Sequence, residues 1–112
     1  MARIDSETDR AAKAFIARLA DRYEVVGALL FGSRARGDHR PESDADIAVL
    51  LAGQPEPFVA TKLAMVDAAY DVELETGIVI SPFPIWEEEW AHPESLPNPR
   101  LIENIRREGL PL

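Results

Sequence analysis

The stretch that decides the fold reads Phe31-Gly32-Ser33-Arg34-Ala35-Arg36-Gly37-Asp38 and continues, after four residues, with Ser43-Asp44-Ala45-Asp46-Ile47-Ala48-Val49. Apolar residues 25–31 precede Gly32, and a second apolar run follows Asp46. Short apolar runs of this kind are typical of buried strands. We therefore predict one strand that ends at Gly32-Ser33 and a second, residues 44–51, that begins with two carboxylates.

The two carboxylates indicate a metal site. Side chains two residues apart on a strand point to the same face, so Asp44 and Asp46 would converge. Two close carboxylates repel each other unless a positive group lies between them. Mg²⁺ is commonly held by one or two carboxylates together with substrate phosphates. We therefore predict that Asp44 and Asp46 are catalytic residues that bind Mg²⁺.

The Gly-Ser turn indicates a phosphate site. Gly32 permits close approach of a phosphate, and Ser33 adds a hydroxyl and backbone N–H donors. Arg34 and Arg36 follow at once and would contact phosphate oxygens. Each feature alone also has a structural explanation, as a turn, a cap or a solvated face. Their order and spacing favour a nucleotide-binding site made of Gly32, Ser33, Arg34 and Arg36.

The remaining sequence predicts a small α/β domain that spans residues 1–112. Helices are expected at about residues 9–23 and 58–75, and a last helix between Asn98 and Gly109. Gly77 would end the second helix, and a third strand would begin at residue 78 and lie at a sheet edge because of its prolines. Residues 86–97 would form an irregular connection. The buried face of the second helix is predicted to consist of Val59, Leu63, Val66, Tyr70 and Leu74.

Composition narrows the class of protein. The 112-residue chain has a formal net charge of −8, no cysteine, and 46% hydrophobic residues. Acidity of this degree opposes nonspecific binding to nucleic acid, but it suits a magnesium nucleotide or a basic protein partner. No run approaches the roughly 20 apolar residues that a membrane span needs. We therefore expect a cytoplasmic protein that binds neither membranes nor nucleic acid.

The Gly-Ser turn and the Asp-x-Asp strand together resemble the signature of the DNA polymerase β-like nucleotidyltransferase superfamily. Within it, the chain is similar to the minimal nucleotidyltransferases, or MNT proteins. The resemblance implies an α/β nucleotidyltransferase fold with a small mixed sheet flanked by helices. It also implies that Gly32 and Ser33 hold the triphosphate and that Asp44 and Asp46 hold the metals. Many such proteins pair with an all-helical HEPN toxin, and some transfer AMP from ATP to a tyrosine of that toxin.

One position departs from the superfamily, which usually carries a third carboxylate on the third strand. Ser81 would occupy it here, and Asp71, Glu73 and Glu75 lie nearby in sequence. Two hypotheses follow. The chain is a magnesium-dependent nucleotidyltransferase that modifies a hydroxyl of a partner protein, as the antitoxin of a HEPN/MNT pair. Alternatively, it is a catalytically weakened binding module of the same fold that neutralises its partner by docking.

Overall fold

The computed structural model describes residues 4–112, and the predicted domain's first three residues lie outside them. Five α-helices and four strands follow one another along this part of the chain. In order they are α1 (Ser6–Leu19), β1 (Val25–Phe31), α2 (Ser33–Arg36), β2 (Ala45–Leu51), α3 (Phe58–Thr76), β3 (Ile80–Trp86), α4 (Glu87–Ala91), α5 (Pro99–Glu108) and β4 (Leu110–Pro111), with a 3₁₀ turn at Pro93–Ser95.

The strands form one mixed sheet in the order β3-β2-β1-β4. β1 runs antiparallel to β2 and to the short β4, whereas β3 runs parallel to β2. A parallel neighbour needs a long crossover, and α3 supplies it. The predicted α/β fold with a small mixed sheet is confirmed. β3 is an edge strand, as Pro82 and Pro84 predicted, although it continues through both prolines to Trp86.

The two faces of the sheet bury different partners. One face packs against α1 and α3 through residues such as Phe15, Ile47 and Met65. The other face packs Ala48 and Ile85 against α5 and the segment that precedes it. The second face is only partly covered, and it carries the carboxylate of Asp46. None of the helices within residues 4–112 is both long and apolar enough to cross a membrane.

The first helix begins earlier than its apolar spacing indicates. Asp5 is the N-cap, and its side chain accepts hydrogen bonds from the backbone N–H and the hydroxyl of Thr8. A capping carboxylate satisfies backbone donors that no earlier turn can reach. α1 therefore starts at Ser6 instead of residue 9 and ends at Leu19 instead of residue 23.

The predicted buried face of α3 is wrong. Thr61, Met65, Ala69 and Val72 face the core instead. The exposed residues are Val59, Leu63, Val66, Tyr70 and Leu74, each between 45% and 67% exposed. Both stripes have helical spacing and both are largely apolar, so periodicity alone could not choose between them.

Residues 86–97 are more regular than predicted. They contain α4 and the 3₁₀ turn. The side chain of Glu89 accepts a hydrogen bond from the backbone N of Trp86 at 2.9 Å, which satisfies a donor at the start of α4. Trp86 itself is buried. This segment and α5, which Asn98 caps, cover part of the Asp46 face.

Candidate active site

A row of three residues crosses the sheet at the end where the carboxylates lie. Asp46 on β2 pairs with Phe31 on β1 and with Ser81 on β3. Asp46 is half-buried, while Asp44 is exposed and lies one residue before β2. The predicted Gly-Ser turn follows Phe31 directly, so the pairing places the turn, the carboxylates and the third-strand position side by side.

Gly32 brings the backbone against the Asp46 carboxylate. Its φ of 75° and ψ of −158° lie in a region that is essentially restricted to glycine. A Cβ atom at this position would overlap Asp46 Oδ2, so a side chain would be excluded even if the backbone tolerated the strain. Ser33 then begins the short helix α2. Backbone N–H groups at the start of such a turn form a concavity that suits an anion.

The carboxylate pair has little compensating charge from the protein. Within residues 4–112, neither Asp44 nor Asp46 forms a side-chain hydrogen bond or an ion pair. Burial raises the pKa of Asp46, and the neighbouring charge of Asp44 raises it further. The charges of Arg36 and Lys62 act in the opposite direction but do not cancel the increase. A bound cation would supply what the site lacks.

The donor set fits Mg²⁺. Carboxylate, hydroxyl and phosphate oxygens are the hard ligands that this ion prefers, and it usually keeps substrate phosphates or waters in its shell. Across the described residues, no three His, Cys, Asp or Glu side chains are grouped to hold a metal ion by themselves. Asp44 and Asp46 would therefore need oxygen atoms from a substrate or from water to complete the coordination.

Two cationic side chains border the site. Arg36 is half-exposed and lies 3.4 Å from Asp38 and 3.9 Å from Glu108. Its charge lowers the pKa of Asp46 and so opposes the effect of burial. Lys62 was not identified from the sequence. It is the single basic residue of α3, and this was the signal that the sequence offered.

Arg34 corrects the sequence prediction of a phosphate contact. Its side chain is 4% exposed, and all three of its nitrogens donate to protein oxygens. Nε donates to Ser43 O at 2.9 Å, Nη2 to Pro41 O at 3.0 Å and Nη1 to the hydroxyl of Thr8 at 2.8 Å. Arg34 thus fastens the loop between β1 and β2 to α1. The sequence separates it from Arg36 by one residue, but the turn directs the two guanidinium groups differently.

The third strand offers a hydroxyl where the superfamily has a carboxylate. Ser81 pairs with Asp46, as expected of that position. Asp71, Glu73 and Glu75 lie on α3, and across the described residues none of them joins Asp44 and Asp46 in a group of three that could hold a metal ion. Glu75 instead forms an ion pair with Arg18 of α1.

Comparison with known proteins assigns the family. The family model described as "Polymerase beta, Nucleotidyltransferase" matches residues 14–81, which is more than half of the chain. The chain therefore belongs to the polymerase β-type nucleotidyltransferase family. A solved structure from Sulfolobus solfataricus, provisionally assigned as a nucleotidyltransferase, superimposes with a TM-score of 0.57 at 21% identity. The match covers 94% of this chain and 81% of that one, and it supports the fold. No curated protein matches the chain in sequence.

Proposed function

We propose that the chain is a magnesium-dependent nucleotidyltransferase that moves AMP from ATP onto a hydroxyl group of a partner protein. The observation that carries the proposal is the Asp44–Asp46 pair, which lacks partners among residues 4–112 and lies against the Gly32 turn. Family membership makes nucleotidyl transfer the reaction class. The nucleotide, the metal and the acceptor are parts of the proposal.

Each residue of the site would have a separate role in nucleotidyl transfer. The turn at Gly32 and Ser33 would donate hydrogen bonds to the β- and γ-phosphates, and Arg36 would add positive charge beside them. Asp44 and Asp46 would hold Mg²⁺, and the ion would supply positive charge against the charge that develops on the attacking and leaving oxygens. Lys62 would contribute positive charge from the α3 side. Such positioning and electrostatic stabilisation account for most catalysis in phosphoryl-type transfer.

The acceptor would approach from the β3 side. Attacking and leaving oxygens lie roughly in line in this chemistry, and the leaving pyrophosphate would lie at the Gly32 turn next to β1. Ser81 on β3 is a poor proton acceptor, so the acceptor hydroxyl would receive little help in losing its proton. A tyrosine hydroxyl, with an ordinary pKa of about 10, gives up its proton more readily than a serine hydroxyl. We therefore propose a tyrosine of the partner as the acceptor.

The partner that we propose is an all-helical HEPN toxin, with this chain as the antitoxin. The net charge of −8 suits a basic partner surface, and the exposed apolar stripe of α3 offers contact area. The same stripe is the observation that favours the second candidate. In that case the chain neutralises its partner by docking and transfers nothing.

A transfer experiment distinguishes the two candidates. The chain is incubated with Mg²⁺, the protein encoded beside it, and ATP labelled either at the α- or at the γ-phosphate. We expect the α-label to appear on the partner, the γ-label to stay off it, and Asp44→Asn to abolish transfer. Asp21→Asn removes an acidic charge from the exposed turn that follows α1, which belongs neither to the carboxylate pair nor to the α3 stripe, and should leave transfer unchanged. Full neutralisation of the partner by Asp44→Asn, with no label transferred, would support the docking candidate.

A further inference from the structure

An apolar groove opens on the same sheet face as Asp46. Its volume is about 380 Å³, and we call it the β3 groove. Its lining includes Phe58, Phe83, Leu96, Pro97, Asn98 and Leu101. These residues come from the start of α3, from β3, and from α5 together with the segment that leads into it. Three separate parts of the chain thus converge on a concave, largely apolar surface.

One wall of the groove is aromatic, and part of it is exposed to solvent instead of being buried in the core. The rings of Phe58 and Phe83 are 5.1 Å apart at an angle of 55°, and Phe31 meets Phe83 edge to face at 6.4 Å. Phe58 is nevertheless 43% exposed. A large aromatic side chain in water offers a planar surface on which another ring can stack. Stacking of a nucleobase on an aromatic side chain contributes about 1–3 kcal/mol.

The groove is continuous with the candidate metal site. Phe83 pairs with Ala48, which is the row next to the one formed by Asp46 and Ser81. Successive rows on one face of a sheet are about 6.6 Å apart along the strand. Lys62 connects the two regions, because its Nζ lies 6.0 Å from the centre of the Phe58 ring and its charge acts on Asp46.

The direction of a bound nucleotide follows from the order of the strands. The Gly32 turn lies on the β1 side of Asp46, and the groove lies on the β3 side. A nucleotide with its outer phosphates at the turn and its α-phosphate at Asp46 would extend its nucleoside toward β3. One ribose spans about the distance between adjacent rows, so the base would reach Phe83 and Phe58.

Polar groups at the rim suit the edge of a base. Asn98 uses its side-chain oxygen to cap α5, which leaves its NH₂ group directed to no partner among residues 4–112. Glu89 also lines the groove. One of its carboxylate oxygens accepts a hydrogen bond from Trp86 N, and the other accepts none from the part of the chain that the structure describes. A donor and an acceptor that line the same groove suit the adjacent acceptor and donor groups on the edge of a purine.

We propose that the β3 groove binds the purine base of the nucleotide whose phosphates lie at Gly32, Ser33, Asp44 and Asp46. This inference rests on the proposed function, because the nucleotide's position is set by the phosphate and metal sites. The base stacks on Phe58 and places its polar edge toward Asn98 and Glu89. The acceptor then enters from outside the groove, past Ser81.

The test compares two ligands that differ only in the nucleoside. Dissociation constants are measured by isothermal titration calorimetry for Mg²⁺-ATP and for Mg²⁺-tripolyphosphate. Phe58→Ala should weaken ATP binding about tenfold and leave tripolyphosphate binding unchanged. Val59→Ala is the matched control, since Val59 is the adjacent exposed residue of α3 and does not line the groove. Thermal unfolding of each variant confirms that the fold is retained.

Each remaining outcome has a separate meaning. Equal ATP affinity in Phe58→Ala and wild type would overturn the groove assignment and leave the proposed function standing. The same holds if Phe58→Ala reduces transfer to the partner at unchanged ATP affinity, because the groove would then hold the acceptor. Equal weakening of both ligands would show that Phe58 acts on the phosphate site and would also overturn the assignment. If the wild-type chain binds neither ligand, the proposed function itself fails.

Discussion

The carboxylates of Asp5 and Asp46 lie in opposite electrostatic environments. Asp5 lies at the start of α1 among Thr8, Arg34 and His39. His39 Nε2 lies 3.2 Å from Asp5 Oδ2, and Arg34 Nη1 lies 4.0 Å from it. Asp46 has the Asp44 carboxylate as a neighbour and no hydrogen bond or ion pair among the described residues. The fold supplies Asp5 with hydrogen-bond and ion-pair partners, whereas Asp46 is free to bind a cation or ligand.

The pKa directions express the same difference. Partial burial raises the pKa of Asp5, but the hydrogen bonds from Thr8 and the charges of His39 and Arg34 outweigh it, and the net pKa is lowered. Burial and the charge of Asp44 leave the pKa of Asp46 raised. A lowered pKa means that the ionised carboxylate stabilises the fold, whereas a raised one means that ionisation costs stability. Carboxylates whose ionisation costs stability are concentrated at functional sites.

The largest expected effect comes from Asp46→Asn. Transfer to the partner should fall by at least about 10²-fold, because a ligand of the cation is lost. Without metal, the variant should unfold at a higher temperature than wild type near pH 7. The folded pKa of Asp46 is above its unfolded value, so this advantage should shrink as the pH falls through the folded pKa. A variant that is both inactive and less stable at pH 7 would contradict the contrast drawn between Asp46 and Asp5. Thermal scans across pH and label-transfer rates provide both readouts.

The next effect separates the two arginines of α2. Arg34→Met should lower the free energy of unfolding by about 2–4 kcal/mol, since one buried and two partly buried oxygens lose a charged donor. Arg36→Met should change it by less than about 1 kcal/mol, because this side chain is 50% exposed. Arg36→Met should instead weaken binding of Mg²⁺-ATP. Urea unfolding and calorimetry measure the two properties. Equal destabilisation by both substitutions would show that Arg34 is not the structural member of the pair.

The smallest effect is expected at Asp5. Asn is as good an N-cap as Asp, so Asp5→Asn keeps the cap while it removes the charge. Asp5 is 41% exposed, and we expect a loss of less than about 1 kcal/mol at pH 7. The folded pKa of Asp5 is below its unfolded value. Its contribution is therefore present above pH 4 or so and is lost as the pH falls through the folded pKa. The variant should show a shallower acid decline in urea unfolding than wild type, with Asp67→Asn as control. An unchanged decline would show that the ionised carboxylate of Asp5 does not stabilise the fold.

The sequence predicted the parts of the molecule that local chemistry determines. The apolar runs, the glycine at the strand end and the Asp-x-Asp spacing located β1, β2 and the Gly32 turn. Gly77 ended α3 as expected, with its left-handed φ of 77°. The Asn98-Pro99 pair opened α5 and Gly109 followed its end. These features depend on residues that are close in sequence, so the local sequence is enough to predict them.

The features that the sequence did not reveal depend on distant contacts. α3 has two apolar stripes, and only its packing against α1 and β3 selects Met65 over Leu63. Arg34 and Arg36 are indistinguishable in sequence, but the loop carbonyls of Pro41 and Ser43 bind the first. Lys62 and Phe58 reach the Asp46 face around the sheet edge, a position that requires the whole topology. The sequence therefore predicted the carboxylates and the glycine of the site, but not the residues that surround them, such as Lys62 and Phe58.

The most direct measurement is a crystal structure of the chain with Mg²⁺ and an ATP analogue that has a methylene group between its α- and β-phosphates. We expect one or two ions about 2.0–2.1 Å from oxygens of Asp44 and Asp46, with the outer phosphates against Gly32 and Ser33. Carboxylates that turn away from each other with no shared ion, or a nucleotide bound elsewhere on the surface, would contradict it.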